Sequence, residues 1–243
     1  MKVLILAAGY GTRLYPLTLN LPKALISINK KPLINFLIEK TNNLKKYFSI
    51  KEIIVVSNNR FYKKFLGWKR KYKIKADILN DGTNSPLDRL GAVKDMEFAI
   101  KDKKDDWLIL GADNLFEDNL VNFLKFSLKK MPHPSLAIYD IKSKKVASRF
   151  GVVEINSRRR IKCLSEKPKS STSTLIATCV YFFPKDSLKF LSQFLLQYKE
   201  VDTLGKYIEW LVKKTKVYAY FLKGKWIDIG QLDSLRKAWE IFK

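Results

Sequence analysis

Apolar positions recur in two alternating rhythms along this chain. The run KVLILA at 2–7 has the length of a strand buried on both faces, and it ends at a glycine. KPLINFLIEKTNNLKKYF follows, with Leu33, Ile34, Leu37, Ile38 and Leu44 at helical spacing. EIIVVSN predicts a second buried strand, RFYKKFLGW a short helix and KIKADIL a third strand. After the loop NDGTNSPLDR come a helix, LGAVKDMEFAI, and a fourth strand, WLILGADN. Strands alternating with helices predict an α/β fold built on a doubly wound, mostly parallel sheet.

From about residue 145 the rhythm changes. FGVVEINSRRRIKCLSEKP alternates and turns at Asn156-Ser157, which predicts a β-hairpin. The strand TLIATCVYFFP and the helices KDSLKFLSQFLLQY and DTLGKYIEWLVKK come next. KVYAYFL and KWIDIG predict a second strand pair ahead of a closing helix, QLDSLRKAWEIF. Neither a linker nor an internal repeat interrupts the pattern, so residues 1–243 are expected to form one domain. Its first part, about 1–140, would be a doubly wound half, and 141–243 a hairpin and helical lobe on the same sheet.

Composition narrows the function. The chain has 243 residues, 47% of them hydrophobic and 13% aromatic, which suits a packed body and not a disordered one. No apolar stretch reaches the roughly 18–20 residues that span a bilayer. MKVLILAAGYG has a short apolar run with a glycine loop where a cleavage region would stand, so a cytoplasmic protein with no membrane partner is expected. Two cysteines, Cys163 and Cys179, and a single histidine, His133 in MPHPS, exclude a disulfide framework and a Cys/His zinc site. His133, between two prolines, is expected in an exposed loop. The net charge of +24 invites a nucleic-acid reading, but the lysines are spread over nearly every segment and form no stripe. They read as solvated helix faces with a general attraction to polyphosphates, and no nucleic-acid partner is expected.

The densest chemistry follows the first strand. Gly9-Tyr10-Gly11-Thr12-Arg13 sets two glycines and a cation where a buried strand ends. Glycines let backbone N–H groups approach a ligand closely, and an arginine beside them suits an anion. In doubly wound sheets ligands sit beyond the carboxyl ends of the strands, where both this loop and GADN at 111–114 fall.

The whole stretch LAAGYGTRLYPLTLNLPKALISI resembles the signature of the sugar-1-phosphate nucleotidyltransferases, which include glucose-1-phosphate thymidylyl- and uridylyltransferases. It departs both from a Walker A loop and from the dinucleotide G-x-G-x-x-G fingerprint. LGADN resembles the family's G-D-N segment with one extra residue before the aspartate. RFGVVEI resembles its Y-G-V-V-E strand, LSEKP its E-E-K-P, and KWIDIGQLDSLRKA its terminal W-x-D-I/T-G-x-x-x-S-L-x-x-A. The motifs keep the family's order across essentially the whole chain, which has the length of members without a β-helix domain. The resemblance implies a Rossmann-like nucleotidyltransferase fold whose second lobe binds the sugar.

It also implies a reaction: a sugar 1-phosphate oxygen attacks the α-phosphorus of a nucleoside triphosphate and pyrophosphate leaves, with Mg²⁺ as cofactor. Such transfers need positioning and charge neutralisation more than covalent help. Leu6, Ala7, Ala8, Gly9, Gly11 and Thr12 would bind nucleotide, with Arg13 on the β/γ oxygens and Lys23 at the α-phosphate. Asp113 and Asp228 occupy the metal positions, and a hard cation that keeps waters needs no more than such a pair. Gly151, Glu166, Lys167 and Thr178 would serve the sugar phosphate. Bland readings stand beside these: Lys23 as an exposed lysine after a proline, Asp113 as a helix N-cap before LFEDNL, and Glu166 with Lys167 as a surface ion pair. Asp228, flanked by Ile227 and Ile229, would be costly without a cation near it.

Two departures bear on specificity. The family's T-G-I/L-Y is Thr178-Cys179-Val180-Tyr181 here, adding a side chain by the expected sugar. Asn80 stands in place of the thymidylyltransferases' base-reading glutamine, followed by Gly91; asparagine reads a base edge similarly but with less reach. Base, acceptor and the choice between monomer and homo-oligomer stay open. The rivals are a transferase acting on choline phosphate or another phospho-alcohol, and a non-catalytic nucleotide-sensing subunit of the same fold.

Overall fold

The computed structural model describes residues 1–101, 104–198 and 202–242. In chain order they form β1 (Lys2–Leu6), the short pair β2 (Ser27–Ile28) and β3 (Lys31–Pro32), α1 (Leu33–Leu44), β4 (Glu52–Ser57), α2 (Asn59–Lys71), β5 (Asp77–Asn80) and α3 (Ala92–Ala99). There follow β6 (Trp107–Gly111), β7 (Asn114–Phe116), α4 (Leu120–Leu128), β8 (Ser135–Asp140), α5 (Lys144–Ala147), β9 (Gly151–Ile155) and β10 (Ile161–Glu166). The chain closes with β11 (Leu175–Phe183), α6 (Lys189–Gln197), α7 (Leu204–Lys214), β12 (Tyr218–Phe221), β13 (Trp226–Asp228) and α8 (Leu232–Ile241).

The main sheet runs β10-β9-β11-β6-β1-β4-β5, with β8 also on β11 and β12 on β8. β6, β1, β4 and β5 are parallel neighbours, as doubly wound strands must be when helices connect them. β1 shows why its sequence is apolar throughout. Val3 and Ile5 pack with α1, α2 and α4 on one face, and Leu4 packs with α3, α6 and α7 on the other. A strand sandwiched this way has no solvent face on which to put a polar residue.

β11 joins the two parts of the sheet. Val180–Phe183 run antiparallel to β6, while Leu175–Ala177 lie against β8 and Ile176 meets β9. The predicted hairpin forms as β9 and β10. Asn156 turns it, accepting from the N–H groups of Arg158 and Arg160 at 3.0 Å each.

Two expectations need correction. β12 and β13 do not pair with each other: β12 adds parallel to β8, and β13 runs antiparallel to β7. KVYAYFL is apolar enough to be a sheet strand, with Ala219 fully buried, whereas WID is drawn away to the short strand that follows β6. His133 is half-buried rather than exposed, its ring 5.9 Å from that of Tyr218. The alternation read from the sequence also does not include α4 and β8, which fill 120–140.

Phe182, fully buried at the β11–β6 seam, should be costly to truncate. Phe182→Ala should lower unfolding free energy by about 3–5 kcal/mol, seen as a lower urea midpoint with unchanged slope. A loss below about 1 kcal/mol would show that the seam is not tightly packed.

Candidate active site

A cleft of about 330 Å³ opens at the carboxyl ends of β1 and β6 and extends under β9, β10 and β11. Eleven of the residues singled out in the sequence line it: Leu6, Ala8, Gly9, Arg13, Gly91, Asp113, Gly151, Glu166, Lys167, Cys179 and Asp228.

At its centre two carboxylates meet. Asp113 follows β6, and Asp228 ends β13. The ladder between β7 and β13 sets Asp228 opposite Asn114, and the Ile229 N–H donates to the Asp113 carbonyl at 2.8 Å. Asp113 is thus the residue just before a strand and not a helix cap; Asn119 caps α4, accepting from the Asn122 N–H. Lys23 Nζ donates to Asp113 Oδ2 at 2.7 Å, and Asn114 Nδ2 donates to Oδ1 at 2.8 Å. Burial opposes the charged form of Asp113, but the Lys23 ammonium and these hydrogen bonds outweigh it and hold the carboxyl below its usual range. Asp228 has no such partner. Burial first, then the Asp113 charge, push its carboxyl up to about 7, against the pull of Lys23, Arg13 and Lys167. Lys23 is therefore no idle surface lysine. It does not line the cleft itself but reaches it through Asp113.

The glycine loop is shaped as its sequence suggests. Gly11 adopts φ 65°, and its carbonyl accepts from the Leu14 N–H and Thr18 Oγ1. Gly9 is exposed, and a Cβ there would meet nothing within 4 Å, which leaves backbone open to a ligand. Arg13 lies against Gly230 and beside Asp228. Ala7, Gly11 and Thr12 fall outside the lining: the Ala7 N–H is committed to the Val56 carbonyl at 2.9 Å, Gly11 turns the loop, and Thr12 opens a short helical turn.

Asn80, expected as the base reader, falls outside the cleft lining. Its amide is consumed locally, donating to Asn59 Oδ1 at 2.7 Å and accepting from the Gly82 N–H at 3.0 Å. Its neighbour Asp81 lines the cleft instead, together with Asp95 from the first turn of α3. Asp81 accepts from Thr83 N and Thr83 Oγ1, and Tyr10 O–H donates to Thr83 Oγ1 at 2.9 Å. The Asp95 and Asp81 carboxyls hydrogen-bond each other. Burial, followed by the charges of Asp81 and Asp202, raises Asp95 to about 8, so at neutral pH Asp95 carries the proton and donates it.

At the other end Glu166 and Lys167 line the wall. The Glu166 carboxylate is buried so tightly against α7 that a Cβ on Gly205 would overlap it, and one on Gly151 would come within 3.0 Å of Oε2. Burial raises its pKa, offset in part by Lys167, Lys206 and Thr203. Lys167 Nζ stands 4.0 Å from Glu166 Oε1 and is 58% exposed, which leaves it able to meet an anion. Thr178 does not reach the cleft. Strand alternation turns Ala177, Cys179 and Tyr181 toward it and Thr178 away, where its hydroxyl donates to the Ala137 carbonyl at 2.8 Å. Cys179 faces Gly111 across the strand pair: a Cβ on Gly111 would sit 2.5 Å from the Cys179 Cβ. The side chain that replaces the family's glycine thus occupies the cleft floor, with a thiol that burial and nearby carboxylates raise well above its usual pKa.

Several contributors are absent from the sequence reading. Gly205 gives no signal without the position of Glu166. Asp81 and Asp95 stand one residue from Asn80 and one helical turn after Gly91, so spacing alone could have flagged them. Arg89 reaches Asp202 at 2.8 Å and the Ala92 N–H donates to the Asp202 carbonyl at 2.8 Å, a clasp between the loop before α3 and the start of α7.

The fold and the cleft define an α/β protein whose candidate site lies beyond the carboxyl ends of a doubly wound sheet. It belongs to the nucleotidyl transferase family, which matches residues 2–242. It is 31% identical to the bifunctional protein GlmU of Methanocaldococcus jannaschii, over 100% of this chain and 53% of that protein. It is 27% identical to a mannose-1-phosphate guanyltransferase of Hypocrea jecorina, over 95% of this chain and 61% of that one. The chain thus spans about half the length of the GlmU relatives it matches. An apo UDP-glucose pyrophosphorylase shares the fold with TM-score 0.81 at 20% identity, covering 99% of this chain and 97% of that one.

Two outcomes test the site. Gly205→Ala should displace the Glu166 carboxylate, and a crystal structure of the variant with Glu166 unmoved would contradict the packing described here. For Asp95, the folded chain keeps until about pH 8 a proton that the unfolded chain loses near 3.8. The folded state then binds more protons in that window, so this group's contribution to stability is complete below it and declines as pH rises through it. Asp95→Asn cannot ionise. Its stability relative to the parent should therefore increase by more than about 1 kcal/mol from pH 5 to pH 9, measured by urea unfolding. A pH-independent difference would mean that Asp95 is not protonated.

Proposed function

We propose that this chain condenses a nucleoside triphosphate with a sugar 1-phosphate, releasing pyrophosphate and making a nucleotide sugar. The observation that carries the reading is the corner where Lys23, Asp113 and Asp228 converge beside the glycine loop. Residues 1–140 would supply the nucleotide half and 141–243 the acceptor lobe of one domain. Among the described residues no helix is long and apolar enough to cross a membrane, and we assign the protein to the cytoplasm.

The acceptor's phosphate oxygen forms a bond to the α-phosphorus while the bond from that phosphorus to the bridging β-phosphate oxygen breaks; the electron pair leaves with pyrophosphate. The open backbone at Gly9 receives the triphosphate. Arg13 neutralises the β- and γ-oxygens before and during departure, and Lys23, which reaches the cleft through Asp113, offsets the charge that crowds at the α-phosphate as attack proceeds. Lys167 holds the acceptor's phosphate, and Glu166, fixed between Gly151 and Gly205, accepts from its hydroxyls.

The two carboxylates fit Mg²⁺. They are hard oxygen donors; burial and then the Asp113 charge raise Asp228, and a cation held by both would offset this. No group of three His, Cys, Asp or Glu side chains among the described residues could hold a metal. Two protein carboxylates with phosphate and water oxygens are nevertheless a usual Mg²⁺ set. When bound, the ion would neutralise phosphate charge as it develops.

Pyrophosphate release should be screened with each common triphosphate against hexose 1-phosphates and choline phosphate. Activity should require a hexose 1-phosphate and disappear with chelator. Lys23→Ala and Asp228→Ala should each reduce kcat/KM at least ~100-fold, since ~1.4 kcal/mol is a decade and several are lost. Release with choline phosphate alone would move the acceptor, and no release with any pair would overturn the reading.

A further inference from the structure

The acidic pair beside the glycine loop has no part in the transfer as derived above, and one of its buried oxygens has no hydrogen-bond donor. Asp81 and Asp95 both line the cleft beside Ala8, Gly9 and Gly91. Asp95 is 6% exposed, and its Oδ1 is a buried oxygen with no hydrogen-bond partner. An unpaired buried acceptor on a ligand-sized cleft is costly unless a donor arrives to meet it. The wall is held in place. Asp81 is fixed by two bonds from Thr83, which Tyr10 ties to the glycine loop, and Asp95 by its place in α3. The neighbouring cation, Arg89, is committed to Asp202 at 2.8 Å and leaves this wall acidic.

The two carboxyls hydrogen-bond each other, so one proton lies between them and the remaining lone pairs only accept. The base edges can be sorted on this criterion alone. Uracil and thymine offer a single N–H flanked by two carbonyl oxygens, which would face carboxyl oxygens and repel them. Cytosine and adenine offer one amino group next to a ring acceptor. Guanine alone presents two adjacent donors, the ring N1–H and the 2-amino group.

Building on the function proposed above, we propose that Asp81 and Asp95 select the base of the nucleoside triphosphate by accepting from the two adjacent donors of guanine, so that GTP is the preferred nucleotide. Asp81 and Asp95 are then specificity-determining residues and not catalytic ones.

Binding of GTP, ITP, ATP, CTP, UTP and dTTP to the wild-type chain, measured by titration calorimetry with Mg²⁺ and no acceptor, tests this directly. ITP differs from GTP only by the missing 2-amino group. GTP should bind at least about tenfold more tightly than ITP and than each of the other four, the discrimination expected when a polar site loses its partner. Asp81→Asn, checked for folding by circular dichroism, should reduce the GTP-to-ITP ratio to within about threefold, because the amide replaces an acceptor by a donor. Asp95→Ala should reduce the same ratio if Asp81→Asn does not fold. Equal affinity for GTP and ITP, or tighter binding of UTP or dTTP, would overturn the base assignment and leave the transferase reading intact. Failure of the folded protein to bind any triphosphate would overturn that reading as well.

Discussion

The antiparallel ladder between β7 and β13 is the constraint on which the functional geometry rests. Neither strand belongs to the main sheet, and each is only three residues long. They nevertheless bring together Asp113, at the end of the doubly wound part, and Asp228, from near the end of the chain. Two like charges in a partly buried corner would drive such a pairing apart. The Lys23 ammonium on Asp113 and the upward shift of Asp228 are the two ways the structure accommodates that repulsion. The apolar residues around the ladder supply the cohesion: Leu115 and Ile227, register partners, pack with Leu14, Ile229 and Leu235 of α8. The corner is thus held by hydrophobic burial directly behind its charges.

The rest of the cleft shows the same economy of placement. In a chain of net charge +24 the cleft wall is rich in carboxylates, and all but Asp228 are matched to a specific neighbour. Asp113 has Lys23, Asp202 has Arg89, Asp81 has Thr83 and the Asp95 proton, and Glu166 has the space left by two glycines. The lysine excess lies largely on exposed helix faces, as in the last turns of α2 and α7. There it raises the general attraction for anions without shaping what the cleft accepts.

The sequence made the fold legible where burial is two-sided. β1, β4 and β6 carry unbroken apolar runs because helices cover both faces. It made the glycine-loop corner legible because a distinctive set of residue types stands at fixed spacing there: Gly9, Arg13, Asp113 and Asp228 line the cleft, and Lys23 joins them through Asp113. It failed where the answer depends on which way a side chain turns. Thr178 and Cys179 are adjacent in β11, and a single step of strand parity decides which one meets the cleft. Asn80 and Asp81 differ in the same way, and the residue that resembles a base reader is occupied with its own loop. The pairing of β13 was illegible for another reason: a three-residue strand carries too little pattern to name its partner.

β11 has a consequence for how such an enzyme can diversify. Its last four residues complete the sheet of the first half, and its first residues carry the hairpin side. The same strand therefore sets both the seam with β6 and, through Ala177, Cys179 and Tyr181, one wall of the cleft. The hairpin side cannot be exchanged as a cassette, since the exchanged piece would take the other half's edge strand with it. The wall that β11 gives the cleft can vary only by point changes on one face of a single strand, with the opposite face, where Val180 and Phe182 sit, held constant by the core. Cys179 against Gly111 is such a position: the strand carries a side chain where the facing strand has none.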